Sequence, residues 1–293
     1  RQMCIRDSTG TNASGATVAL TLAGAAPTGT VTVTGTTWSY TLTAADVAAM
    51  GQGSGKAIVA TQTDVAGNVS DPASKAITVD TQGPAQPTAP TTYADDVGAI
   101  TSATSTAPVT DDSRPAVQVG AGLTDTPSLY VDGAKVAATY DSATGSLTPD
   151  APLADGAHAL TVTLTDTAGN ESAPSAALNL TVDSSAPAEP TPITSYADDV
   201  AAFQGASQTA VVSNDNRPGF NVGTGLTNTP SLYVDGVKVA ATYDSATGTL
   251  TPNAALADGV HALTVTLTDA VGNESAPSTA FTLTVDTQAP QNT

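Results

Sequence analysis

The chain has 293 residues and almost no cysteine: Cys4 stands in the first eight residues, and none follows. No disulfide can therefore staple its folded parts. Aromatic residues make up 4%, with one Trp and three Phe. A core must be assembled from Val, Leu and Ala, and such a core is thin, as between two stacked sheets. Positive charge is equally scarce: 8 Lys plus Arg against 27 Asp plus Glu leave a net charge of −19. Nucleic acid requires a basic footprint on its partner, and anionic lipid requires a polybasic one, so neither is an expected partner. No run of 18 apolar residues occurs, so this segment inserts no helix into a membrane. The two histidines, His158 and His261, each follow an Asp-Gly pair at the start of a strand pattern, with no second His or Cys nearby. They read as surface strand residues rather than zinc ligands. No Ser/His/Asp set is placed for nucleophilic catalysis, so no enzyme is expected.

What the chain does contain is repetition. "VTLTDTAGNESAPS" (162–175) returns as "VTLTDAVGNESAPS" (265–278), and a looser copy, "ATQTDVAGNVSDPAS", occupies 60–74. Tyr93 recurs as Tyr196, Arg114 as Arg217 and Asp166 as Asp269, each 103 residues on. A period of that size fits a self-contained domain and is too long for a solenoid unit. We expect one domain over 84–186, a second over 187–293, and a shorter relative over 9–83. The opening "RQMCIRDS" (1–8) resembles the translation of a transposon end used in sequencing libraries, and is set aside as a sequencing or assembly scar.

Alternation with period two marks strands throughout. "ALTVTLTD" (159–166) places Leu160, Val162 and Leu164 on one face and Thr161, Thr163 and Thr165 on the other. "ALNLTVD" (177–183) alternates likewise and reads as its returning hairpin partner. Asp132-Gly133, Thr144-Gly145, Asp155-Gly156 and Gly169-Asn170 punctuate the strands as turns. Together these predict an all-β antiparallel sandwich of about seven strands per full repeat. "TAADVAAMG" (43–51) alone has helical character, and reads as one short turn. Trp38 is expected in the core.

The acids are unevenly spread: 12 lie between 84 and 186, ten between 187 and 293, and five before 84. Four groups in each full repeat offer clustered oxygens of the kind calcium takes, six to eight at a time. In the middle repeat these are Asp95 with Asp96, Asp111 with Asp112, Asp166 with Asn170, and Asp183. In the last repeat they are Asp198 with Asp199, Asn214 with Asp215, Asp269 with Asn273, and Asp286. Adjacent carboxylates repel, and a dication is the simplest compensation. For Asp132, Asp155, Asp235 and Asp258, each followed by Gly, a turn role is sufficient. The Asp-x-x-Gly-Asn phrase lacks the spacing of an EF-hand loop.

"YADDVG", "PVTDDSRPAVQVG" and "LADGAHALTVTLTDTAGNESAPSAALNLTVDSSAP" closely resemble the tandem immunoglobulin-like repeats of giant, RTX-type bacterial surface adhesins exported by type I secretion. "TWSYTLTAADVAAMGQGSGKAIVATQTDVAGNVSDPASKAITVDTQGP" resembles a sister class of repeat from the same proteins. The resemblance covers essentially everything after residue 9. It implies tandem immunoglobulin-like antiparallel β-sandwiches, the first one N-terminally truncated and left with an exposed edge. It further implies an extracellular, cell-surface spacer, with Ca2+ rigidifying domains and junctions and with neighbouring repeats of the same chain as its direct partners. A host or biofilm surface would be gripped by domains outside this segment. The resemblance favours "DDVG" as ligand-bearing; the last repeat departs there, with Ala201 in place of Gly98. Strands of eight to ten residues would give each domain a reach on the order of 30–40 Å. Two other classes stay open: a module that binds carbohydrate or a host protein, and an accessory module of a secreted hydrolase. A dedicated binding domain should diverge in its loops, yet "LTDTP" (123–127) recurs as "LTNTP" (226–230), which favours the spacer.

Overall fold

The computed structural model describes the backbone of residues 8–11 and the whole of residues 15–98, 100–200 and 204–289. Apart from the backbone of Ser8, the expected scar lies outside these residues, as does Ala201. The chain divides into two compact units, one of residues 1–88, 122–128 and 162–176, the other of residues 89–121, 129–161 and 177–293.

The first repeat holds two three-stranded sheets. One is ordered Ser8–Thr11, Thr37–Tyr40, Thr32–Thr34; the other is Thr17–Leu22, Gly53–Thr63, Ala73–Val79. Leu20, Leu22, Trp38, Tyr40, Val47, Met50, Ile58 and Val79 form its core, with Trp38 buried as expected. The edge strand Thr32–Thr34 is exposed along its whole length. The "TAADVAAMG" stretch forms a seven-residue helix, Ala44–Met50, longer than the single turn its sequence suggests. A capping box explains it: the Thr43 hydroxyl accepts from Asp46 N while Asp46 accepts from Thr43 N. Asp46 is 1% exposed and also accepts from the Tyr40 hydroxyl (2.5 Å), Thr28 N (2.7 Å) and the Thr28 hydroxyl (2.9 Å). Burial alone would raise its pKa. The Tyr40, Thr43 and Thr28 bonds outweigh that and hold the carboxyl well below the usual carboxylate range.

The last repeat is a sandwich of two five-stranded sheets. The first runs Gly205–Gln208, Tyr196–Asp198, Gly219–Asn221, Thr249–Pro252, Ala241–Asp244. The second runs Val212–Ser213, Phe281–Val285, Gly259–Thr268, Thr229–Val234, Val237–Val239. The corresponding strands of the middle repeat follow the same two orders. "TPSLYV" shows how sequence becomes layer: Pro230, Leu232 and Val234 point inward, and Thr229, Ser231 and Tyr233 outward. Phe220, Leu232, Leu250, Leu263 and Leu283 are each at most 1% exposed, and each contributes roughly 1.5–3 kcal/mol by leaving water. Tyr196 and Phe281 pack with ring centroids 6.3 Å apart.

Three details depart from the sequence reading. Among the described residues each full repeat has ten strands rather than about seven, because short edge segments join both sheets. The sheets are not wholly antiparallel: Val212–Ser213 pairs in parallel with Phe281–Val285, and Val109–Thr110 with Leu178–Val182. In the last repeat the chain leaves one sheet after Gly205–Gln208 and crosses to the other. There Val212–Ser213 becomes the edge strand, running the same way as its neighbour Phe281–Val285. Finally, Thr163, assigned to the polar face, is 4% exposed, as is its counterpart Thr266 in the last repeat. The Thr163 hydroxyl is satisfied by donating to Glu171 at 2.6 Å, which removes most of the cost of burying it.

Candidate metal centre

The acids of "YADDVG" and "TDDSRP" converge in the middle repeat because of local backbone geometry. Tyr93–Asp95 is a three-residue strand whose period places both Tyr93 and Asp95 inward. Tyr93 enters the core, while a register irregularity between Tyr93 and Asp95 re-aims the end of the strand. Asp95, Asp111 and Asp112 are 7%, 3% and 3% exposed. The Thr110 hydroxyl ties two of them together, donating to Asp95 Oδ2 at 2.6 Å and accepting from Asp112 N at 3.1 Å. Asp112 Oδ1 accepts from Arg114 N at 2.7 Å. Asp96 is exposed.

Asp111 is different. Both of its carboxylate oxygens are buried and neither has a hydrogen-bond partner. Burial raises its pKa, and the charges of Asp95, Asp269 and Asp112 raise it further, against a smaller downward pull from its own backbone N–H, which lies near the carboxylate without hydrogen-bond geometry. Burial also raises Asp112, aided by Asp96 and Asp95 against the opposing Arg114 N–H bond. Gly98 stands over this carboxylate with φ of +70°. A Cβ there would lie 1.8 Å from Asp111 Oδ2, with the Gly272 carbonyl oxygen 3.2 Å from the same point. Only glycine allows that approach. A carboxylate oxygen and a carbonyl oxygen, both acceptors, thus lie close to the same point beside Gly98.

Asp166 and Asp269 have their oxygens occupied by their own loops. Asp166 Oδ1 accepts from Ala168 N (2.8 Å) and Asn170 N (2.9 Å), and Oδ2 from Asn170 Nδ2 (2.9 Å). Asp269 Oδ1 accepts from Val271, Gly272 and Asn273 N, and Oδ2 from Asn273 Nδ2 at 3.0 Å. Asp64 repeats the arrangement in the first repeat. For Asp269, burial pushes the pKa up, but the Asn273 amide and these backbone N–H groups hold it below the ordinary value. The Asp-x-x-Gly-Asn phrase is therefore an Asx-type loop complete in itself. Its Asn has a further role: Asn170 Nδ2 donates to Asp80 O at 3.2 Å, and Asn273 Nδ2 to Asp183 O at 2.7 Å. Each loop thereby bonds the residue that closes the repeat before it.

Among the described residues no three His, Cys, Asp or Glu side chains form a ready-made metal cage. Any cation here would need backbone oxygens beside Asp95, Asp111 and Asp112. An orphaned buried carboxylate, further acids around it and an all-oxygen donor set do fit a hard dication rather than zinc or copper.

The sequence profile of the bacterial Ig-like domain matches residues 86–184 and 191–287. The chain belongs to the bacterial Ig-like domain family. No curated protein matches it. Solved structures similar to this bacterial Ig-like chain include the fibronectin(III)-like modules of Clostridium thermocellum CbhA, at 13% identity over 63% of this chain and 92% of that one, with a TM-score of 0.38. Another is SGBP-B of the Bacteroides ovatus mixed-linkage glucan utilization locus, solved with a mixed-linkage heptasaccharide. It is 15% identical over 96% of this chain and 63% of its own, with a TM-score of 0.22. A third is a tetra-tandem repeat in the extending region of a large adhesion protein, at 20% identity, 94% and 70% coverage and a TM-score of 0.21.

The second Ig-like copy varies the same cluster. Asp198 and Asp215 are each 3% exposed. Asp198 Oδ2 accepts from the Ser213 hydroxyl at 2.8 Å, and Asp215 Oδ1 from Arg217 N at 2.7 Å. Burial raises the Asp215 pKa, with Asp199 and Asp198 adding to it against the Arg217 N–H bond. Asn214 stands where the middle copy has Asp111, so one charge is gone. Asp199 is exposed. Asp183 and Asp286 close their repeats with backbone N–H bonds to Thr110 O and Ser213 O. Their Oδ1 atoms accept from Ser185 N at 3.3 Å and Gln288 N at 3.1 Å. No helix among the described residues is long and apolar enough to cross a membrane.

Proposed function

We propose that this chain is a spacer segment of a bacterial cell-surface adhesin, in which Ca2+ stiffens the junction between the middle and last Ig-like repeats. The observation that carries the reading is Asp111: two buried, unpartnered carboxylate oxygens among Asp95, Asp112 and the charge of Asp269 from the following repeat. Asp95, Asp111 and Asp112 would hold the ion, with backbone oxygen at Gly272 at hand. When bound, the ion supplies neutralisation of charge that otherwise opposes the approach of the two repeats. The chain's own groups set the register. Asn273 seats on the Asp183 carbonyl, Thr110 orients Asp95 and Asp112, and Gly98 lets the backbone close over Asp111. The close repetition of the two full copies, with the loop "LTDTP" (123–127) returning as "LTNTP" (226–230), supports a spacer over a module specialised for one ligand.

Small-angle scattering of the full chain tests this. In Ca2+ the maximum dimension should be larger and the distance distribution sharper than in chelator, with Mg2+ restoring little, because Mg2+ demands a tighter octahedral set. Identical scattering curves with calcium and with chelator would overturn the stiffening role.

A further inference from the structure

Each full repeat carries one histidine, and both ring nitrogens of each face an acceptor. His158 Nδ1 lies 2.8 Å from Asp132 Oδ2, and its Nε2 lies 2.8 Å from Ala154 O. His261 is placed identically, at 2.8 Å from Asp235 Oδ2 and 2.8 Å from Ala257 O. An ionised carboxylate and a carbonyl only accept, whereas a neutral imidazole has one N–H to give. The arrangement is complete only when the ring is an imidazolium donating at both nitrogens. The histidine side chains are 14% and 13% exposed, whereas the carboxylates of Asp132 and Asp235 are 53% and 52% exposed, so it is the ring side of each bond that is shielded from water.

The surroundings leave this role to the ring. From the turn after Thr126–Val131 comes Asp132, whose φ of +52° sets its carboxylate over the next strand. Its Oδ1 accepts from Ala159 N at 2.8 Å. Across the sheet the residue opposite His158 is Leu180, and opposite His261 is Leu283. From the preceding loop the neighbouring acid is Asp155, which is engaged elsewhere: it accepts from Ser184 N (2.9 Å) and from the hydroxyls of Ser184 and Ser185 (each 2.7 Å). Asp258 does the same in the last repeat, with Thr287 N (3.0 Å), the Thr287 hydroxyl (2.8 Å) and Gln288 Nε2 (3.0 Å). Asp132 and Asp235 are thus the charged groups facing the two rings. The histidine holds Ala154, and the next residue, Asp155, holds the peptide by which the chain leaves the repeat.

We propose that each full repeat contains a proton clamp: a doubly donating histidine fixes the loop before its strand, and through that loop the exit peptide, and deprotonation, which leaves the ring one N–H for two acceptors, loosens both. The first repeat makes the equivalent exit contact without a proton. There Gln52 Nε2 donates to Asp80 Oδ1 at 2.5 Å, and its Oε1 accepts from Thr81 N and the Thr81 hydroxyl, each at 2.9 Å. The clamp needs no metal and stands apart from the cluster around Asp111.

The bonds to Ala154 O and Asp132 raise the His158 pKa above its ordinary value, and those to Ala257 O and Asp235 raise His261. The clamp's stabilisation is therefore complete below about pH 6.5 and disappears as pH rises through the higher folded-state value. An NMR titration of the full chain in chelator tests it. Both rings should be more than half protonated at pH 6.5, with midpoints above that of a free histidine. The Ser184 and Thr287 amide resonances should move with the same midpoints. By calorimetry, the chain should lose melting temperature between pH 6 and 9, and a His158→Gln/His261→Gln variant should not. Histidine midpoints at or below the free value would overturn the clamp. Amides of Ser184 and Thr287 that stay still while the rings titrate would overturn its reach to the exit peptide.

Discussion

Asp111→Asn should make the protein more stable in chelator and less stable in calcium, and that crossing is the sharpest consequence of the proposed site. Without a cation, an ionised Asp111 is 3% exposed with neither oxygen bonded. Leaving a buried polar group unsatisfied costs about 1–3 kcal/mol, and more when it is charged. Neutralising it should return an amount on the order of 1–3 kcal/mol. At about 4–8 °C per kcal/mol for a domain of this size, that is a rise of roughly 4–24 °C in the melting of the affected repeat. Calcium reverses the order. An ion at a hundred times its dissociation constant adds about 2.7 kcal/mol to the chain that binds it, and little to a variant lacking the central charge. The last repeat already carries this exchange at Asn214.

Acid provides the matching control. The Asp111 pKa is raised on folding, so the stabilisation from its protonation is present below the unfolded value near 3.9 and is lost as pH rises through the folded value. In chelator, the wild type should gain on the variant as pH falls through that window. Calorimetry is the assay, because the one Trp, Trp38, lies in the first repeat and its fluorescence would miss the change. Equal calcium-induced shifts in both proteins, or a variant less stable than wild type in chelator, would refute the reasoning.

Two more outcomes follow from single contacts. Tyr40→Phe removes a 2.5 Å bond to buried Asp46 and should destabilise the first repeat by about 1–3 kcal/mol, read by Trp38 fluorescence in urea. Because the Asp46 pKa is depressed on folding, its contribution is present above about pH 4 and falls away below it, and a first repeat indifferent to pH in that range would contradict the assignment. Gly98→Ala places a methyl 1.8 Å from Asp111 Oδ2 and should weaken both folding and any calcium response. Gly122→Ala has a similar φ of +67° with nothing within 4 Å, and should carry only the backbone cost of about 1 kcal/mol; equal melting losses in the two variants would dismiss the contact.

The repeats, the all-β class and the inward faces of the strands were legible because they are written locally. A period of two puts Leu232 and Val234 on one face whatever surrounds them, and a 103-residue register makes two copies of one domain plain. Asp-Gly at 132–133 likewise announces its turn: Asp132 and Gly133 both have positive φ. The helix Ala44–Met50 could have been extended beyond one turn from Thr43 and Asp46, whose spacing already forms a capping box. The parallel edge pairs were hidden, because a two-residue strand has no period to read.

The acidic residues divide along the same line. Sequence named the carboxylates, but all looked alike as pairs and turn acids. Only the folded chain separates Asp166 and Asp269, whose own loops supply every donor, from Asp111, which has none. It likewise turned two apparently plain strand histidines into rings held between a carboxylate and a carbonyl. The physical reason is range. Side-chain alternation and turn chemistry act over a few neighbouring residues, whereas the state of a buried charge depends on which distant atoms, such as those of Gly98 and Gly272 around Asp111, are brought against it.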